Sequence, residues 1–168
     1  MKSSFQAIIW SGSSLQLLDQ RCLPRDEIYL DFTDAGAVAD AIRNMVVRGA
    51  PAIGITAAYA VVLSAQQHTT TSAGNWRQLL LQDIQQLAAA RPTAVNLVWA
   101  LERMQRRLSR AGGAPVAALL DEAKQIHQED IEANHRMGEQ GASLINKGDS
   151  VLTYCNTGSL ATGGYGTA

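Results

Sequence analysis

Cys155 stands where a short apolar run containing Val151, Leu152 and Tyr154 gives way to a segment rich in glycine, serine and threonine. Gly148 and Asp149 bound the run on its other side, so the pattern predicts a buried strand over residues 150–155 feeding a functional loop. In an open α/β sheet, ligands bind beyond the carboxyl ends of the strands, so a thiol at that seam faces a pocket. Gly158, Gly163, Gly164 and Gly166 would let backbone N–H groups come close to a substrate. Their spacing is not the dinucleotide-binding fingerprint. From the strand alone, Cys155 reads first as a small buried hydrophobe.

Arg48, Gly49, Ala50 and Pro51 interrupt a helical pattern, and Pro51 suits the first position of a new helix. The amides ahead of that helix point outward at its positive end, and an arginine fork matches phosphate oxygens, so Arg48 and Gly49 together read as a phosphate cradle. A plain helix-breaking turn with a solvated arginine fits the same residues. Arg91 precedes Pro92 in a similar way, and two such arginines can hold one phosphorylated substrate; a solvent-facing helix end is the other reading of Arg91. His127, Asp130, Asn134 and His135 share a helical face. Without paired zinc-type spacing or a cysteine ligand they are read as a mixed polar face packed near a second domain, with no metal.

The elements that must position these groups follow from apolar periodicity. Residues 6–10, 15–19 and 27–32 predict three strands, the first two joined by a polar turn that contains Gly12. From Thr33 the period is helical: Thr33 is predicted as the cap, with Val38, Ile42, Met45 and Val46 on one stripe. A helix is predicted over residues 51–67. It is apolar enough to be buried, and residues 49–65 are shorter than the roughly 20 a membrane span needs. A polar loop over residues 69–74 follows. Asn75 then caps a helix carrying Trp76, Leu79, Leu80, Ile84 and Leu87 that ends at Arg91. Thr93 caps the next, with Leu97, Trp99, Leu101 and Met104, and its basic run over residues 103–110 reads as a solvated end. Gly112 and Gly113 break the chain before Pro115 opens a helix to about residue 145.

Three segments, in order, resemble a known family: Val47-Arg48-Gly49-Ala50-Pro51-Ala52-Ile53-Gly54, then Arg91-Pro92-Thr93-Ala94-Val95-Asn96-Leu97, then the run from Thr153 through Cys155, Asn156, Gly158 and Thr162 to Ala168. The family is that of aldose-ketose isomerases acting on methylthioribose 1-phosphate, together with ribose-bisphosphate isomerases and regulatory subunits of initiation factor 2B. The resemblance implies Cys155 as the catalytic thiol and Arg48, Gly49, Ala50 and Arg91 as substrate-binding residues, with no metal and no organic cofactor. It covers the first half of a family member, so the family's catalytic aspartate is expected beyond residue 168. It also implies the rivals: an isomerase of ribose 1,5-bisphosphate, and a non-catalytic regulatory subunit, in which a thiol at that strand end has no chemical purpose.

A net charge of −1 and a pI near 6.3 give no electrostatic footprint for nucleic acid or an anionic membrane. Two distant cysteines, Cys22 and Cys155, without metal-type spacing suit a reducing cytoplasm, and the first residues carry no apolar secretory core. The expected fold class is α+β. A small β-meander occupies residues 1–33, a helical bundle residues 34–147, and residues 148–168 begin a Rossmann-like domain. The expected function is conversion of 5-methylthioribose 1-phosphate to 5-methylthioribulose 1-phosphate in methionine salvage. The expected partners are a phosphorylated pentose and, for a full-length protein, a second copy in a homodimer; the 168-residue chain alone is expected to be silent.

Overall fold

The computed structural model describes residues 5–71, 74–112 and 114–166. Ser72 and Ala73 of the expected polar loop, Gly113 of the expected glycine break, and Thr167 and Ala168 of the third motif lie outside the described residues. Strands β1 (Ile8–Trp10), β2 (Leu15–Leu18) and β3 (Tyr29–Phe32) form an antiparallel meander, with Ile8 opposite Leu17 and Leu17 opposite Leu30. Helices α1 (Ala35–Arg43), α2 (Ala50–Thr71), α3 (Trp76–Ala90), α4 (Val95–Arg110) and α5 (Pro115–Ala142) follow. A single 3-10 turn, Ser159–Ala161, lies after Cys155.

The architecture is organised around α2. All its residues from Ala52 to Ala65 are buried, and α1, α3, α4 and α5 pack around it. Alanine and glycine make this possible, because small side chains let neighbouring backbones approach. A Cβ at Gly54 would lie 2.8 Å from the carbonyl oxygen of Asn96, so α2 and α4 touch backbone to backbone there. Leu80 and Leu87 of α3, Leu97 and Met104 of α4, and Leu119 of α5 close the core without measurable exposure. Each such side chain contributes about 1.5–3 kcal/mol of burial.

Several boundaries differ from expectation for local reasons. Asp34, not Thr33, caps α1: its carboxylate accepts the Ala37 amide at 2.8 Å. Helix α2 runs past residue 67 to Thr71, and there the hydroxyls of Thr69, Thr70 and Thr71 bond back to carbonyls one turn earlier. Helix α4 starts at Val95 behind Ala94, so Thr93 does not cap it, and α5 ends at Ala142, not near residue 145. The basic run is only partly solvated. Arg103 crosses to α5, where it pairs with Glu122 and Glu129. The strand expected over residues 150–155 is not formed: no described residue pairs with it, and Val151, Leu152 and Tyr154 are exposed. A strand exists only through its ladder, and an apolar run with no neighbouring strand has none to join.

The Arg103 cluster generates a test. Its hydrogen bonds hold the Glu129 carboxyl below its ordinary range, so the stability they supply is present above that range and is lost as pH falls through the depressed value. Arg103→Leu should cost about 1–3 kcal/mol at neutral pH, the range for stripping a partner from buried polar groups. Solvent at the 45%-exposed Glu129 favours the lower part of that range. Urea unfolding should show the gap between wild type and variant narrowing in acid; a gap that widens there would contradict the assignment.

Candidate functional site

The first motif is the joint between α1 and α2. Helix α1 closes with the Val46 amide on the Ala41 carbonyl at 2.9 Å and the Met45 amide on the Ile42 carbonyl at 3.3 Å. That double closure requires a left-handed residue, usually glycine, and here Met45 takes it with φ of 58°. Met45 is therefore not on the buried stripe of α1; it is half exposed. Val46 and Val47 turn inward, Arg48 turns out, and Gly49, at φ of 97°, leads into α2. The Gly49 carbonyl accepts the Ile53 amide at 3.0 Å, which starts the helix.

The third motif is laid directly on that joint. A Cβ on Gly49 would fall 2.5 Å from both the Cβ and the carbonyl oxygen of Ala161, a separation no real side chain tolerates. Around this contact the loop is held at several points. Gln20 donates to the Leu160 carbonyl at 2.8 Å, and the Thr162 hydroxyl donates to the Tyr165 carbonyl at 2.9 Å. The Asp130 carboxylate accepts the Gly163 amide at 2.7 Å, His127 Nε2 lies 2.6 Å from the Gly163 carbonyl, and Tyr165 stacks on His135 with ring centres 3.9 Å apart. The polar face of α5 thus packs on this loop. Burial pushes the Asp130 carboxyl up, and the Gly163 amide opposes that shift.

The loop glycines serve packing and conformation. The Gly163 amide is bound to Asp130, and a Cβ there would lie 2.7 Å from His127 Cδ2. A Cβ on Gly166 would strike the Gly158 backbone at 2.3 Å, so the loop closes on itself. The expectation that these glycines open their amides to a substrate is not met at Gly163.

One open cavity of about 530 Å³ is lined by Arg48, Gly49, Ala50, Arg91 and Cys155, the residues singled out from sequence. Met45, Ile53, Thr93, Ala94 and Asn156 complete its wall. Arg91 does not repeat the Arg48 geometry: it is the C-cap of α3, and Pro92 lies in a turn three residues before α4. The cavity still borders the first residues of α2 and the residue before α4, so two positive helix ends face it. Neither Arg48 nor Arg91 makes an ion pair or hydrogen bond with its side chain among the described residues. Two unpaired guanidiniums in a cavity bordered by two helix N-termini make an arrangement that can attract an anion. Cys155 is exposed, not buried, at φ of 75°. It and Met45 are the only non-glycine residues with positive φ among those described, and both line this cavity. Such conformations cost about 1–3 kcal/mol and gather at functional sites.

Sequence reasoning missed Met45 as a wall residue because its apolar character matched the α1 stripe. Gln20 and Tyr59 carry no motif signal at all. Tyr59 is a buried residue of α2, stacks on Trp10, and lies 3.2 Å from His127 Nδ1. Burial pushes its phenol up to about 12.

Residues 46–163 match the model of the initiation factor 2 subunit family. The chain is 58% identical over 163 residues to the methylthioribose-1-phosphate isomerase of Thioalkalivibrio sulfidiphilus, and 55% identical to that of Alkalilimnicola ehrlichii. Each match takes in 97% of this chain and 47% of the relative, so the chain spans about half the length of the curated relatives it matches. Among solved structures it resembles 5-methylthioribose 1-phosphate isomerase from Pyrococcus horikoshii, with a TM-score of 0.88 at 36% identity over 96% of this chain and 46% of that one. It also resembles the delta subunit of translation initiation factor eIF-2B from A. fulgidus, with a TM-score of 0.86 at 37% identity over 97% of this chain and 48% of that one.

Gly49→Ala tests the contact that seats the loop. The added methyl meets Ala161 and the left-handed backbone disfavours it, so stability should fall by about 1–3 kcal/mol. Amides over residues 158–166 should also exchange faster with solvent. Unchanged exchange there would mean that the loop does not depend on this contact.

Proposed function

The chain belongs to the initiation factor 2 subunit family, and on that premise we propose that it supplies half of the active site of an aldose-ketose isomerase converting 5-methylthioribose 1-phosphate to 5-methylthioribulose 1-phosphate. The observation that carries this reading is the cavity in which an exposed, left-handed Cys155 shares a wall with the unpaired Arg48 and Arg91.

The reaction is redox-neutral within one sugar. C2 loses its hydrogen and becomes a carbonyl, C1 gains a hydrogen, the bond from C1 to the ring oxygen breaks, and that oxygen takes the proton of the C2 hydroxyl. With phosphate on the anomeric carbon, the ring cannot open to a free aldehyde, so opening and hydrogen shift must be assisted in place. On this reading Arg48, Arg91 and the amides at Gly49 and Ala50 hold the phosphate. Because the phosphate is on C1, anchoring it sets the reacting carbons beside the cavity wall that carries Cys155. The thiol then acts at C1 and C2, while an acid or base from outside this chain completes the proton transfers.

We also propose that residues 148 onward belong to a second, Rossmann-like domain in which residues 151–154, unpaired here, would become the first strand. Val151, Leu152 and Tyr154 are 63%, 96% and 94% exposed, which is the pattern of an apolar strand that lacks its cover. Free Cys22 and Cys155 suit a cytoplasmic setting.

A second reading draws on the likeness to the eIF-2B delta subunit: a protein that binds a sugar phosphate in this cavity without turning it over. Kinetics of a full-length protein separate the two. Cys155→Ser should lower kcat far more than it raises KM, the signature of an interaction made only in the transition state. Arg48→Ala and Arg91→Ala should each weaken phosphate-ester binding by about 1.5–3 kcal/mol. Binding without any turnover by wild type would favour the regulatory reading, and full activity in Cys155→Ser would remove the thiol from the mechanism.

A further inference from the structure

We infer that His127 and Asp130 are positioning residues for the proposed isomerisation, gripping both polar ends of the Gly163 peptide and so fixing the loop that follows Cys155. The two side chains are three residues apart on α5, on one face of the helix. Asp130 Oδ2 accepts the Gly163 amide at 2.7 Å, and His127 Nε2 reaches the Gly163 carbonyl at 2.6 Å. One bond to a peptide leaves it free to swing about that bond; bonds at both ends fix its place and its orientation.

The tautomer of His127 follows from its partners. A carbonyl only accepts, so Nε2 must carry the hydrogen. In a neutral ring Nδ1 then holds a lone pair, and the Tyr59 hydroxyl 3.2 Å away donates to it. Tyr59 is itself fixed by stacking on Trp10 at 5.2 Å between ring centres. A line of contacts therefore runs from β1 through α2 and α5 into the loop. Asn134, one turn further along α5 and buried, donates to the same Asp130 oxygen at 3.2 Å and holds the carboxylate for the grip.

The grip reaches Cys155 through a short, closed segment. Gly166 packs on the Gly158 backbone, and the Ala161 amide bonds to the Gly158 carbonyl at 3.1 Å, so residues 158–166 form one closed segment. Cys155 precedes that piece by three residues. Small displacements of a reacting group are costly: a misplacement of ~1 Å can lower the rate ~100-fold.

This inference rests on the proposed function, and its test keeps the two apart. In a full-length protein, His127→Leu removes the donor, whereas His127→Gln retains an N–H near the place of Nε2. The leucine variant should lose ~10–100-fold in kcat with KM within about twofold, and the glutamine variant should recover most of that loss. Exchange of the Gly163 amide should quicken in the leucine variant and not in the glutamine one. If the leucine variant does not fold, Asp130→Ala, which removes the other half of the grip, carries the same kinetic and exchange expectations. Equal kcat in wild type and His127→Leu, or equal impairment by leucine and glutamine, would overturn the inference. If wild type shows no turnover while the exchange contrast persists, the grip on the loop stands and the isomerase reading fails.

Discussion

Gly49 has no side chain, and Ala161 fills the space in which one would lie. That backbone-to-backbone contact joins segments more than a hundred residues apart in sequence, and the candidate site exists because of it. On one side is the joint that turns Arg48 toward solvent; on the other is the loop that carries Cys155. Helix α2 makes the joint rigid. Its long, fully buried stretch of alanine, glycine and β-branched residues leaves it little freedom to shift, so its first turn is a fixed platform on which the loop can be seated. The α5 side chains His127 and Asp130 then hold the far end of that loop at Gly163.

The site also concentrates conformational strain. Met45 and Cys155 both occupy the left-handed region that glycine normally fills, and both line the same cavity. Strain of this kind persists only where the surroundings over-determine the backbone. At Met45 the double hydrogen-bonded closure of α1 does so, with buried Val46 and Val47 immediately after it. At Cys155 the constraint comes from the anchored loop that follows. Cys155 is exposed together with the whole unpaired run before it, where strand periodicity alone suggests a buried thiol.

Much of this was readable in the sequence. Apolar runs bounded by turn residues located the three strands found among the described residues, and stripes and breakers located the five helices there. The motif glycines and prolines marked the joints, and the residues singled out for chemistry do share one cavity. What was not readable depended on tertiary partners. Thr33 and Asp34 are both competent caps, and only the fold selects Asp34. Arg103 looked like one member of a solvated basic run because its acidic partners lie some twenty residues away on α5. Met45 matched the helical stripe, since nothing in its identity announces a left-handed turn. The face of His127 and Asp130 was visible as a polar stripe, but its partner is a backbone peptide, which no side-chain pattern can reveal. Residues 151–154 have strand composition and no ladder to join among the described residues.

On the proposed function, the loop contact brings Cys155 and two unpaired arginines to one phosphorylated sugar. The most direct measurement is a crystal structure of a full-length protein soaked with 5-methylthioribulose 1-phosphate. Phosphate oxygens are expected within hydrogen-bond distance of Arg48 and Arg91, with C1 and C2 of the sugar facing the Cys155 sulfur. A sugar phosphate bound elsewhere, or bound at the arginines with its carbons turned away from Cys155, would contradict it.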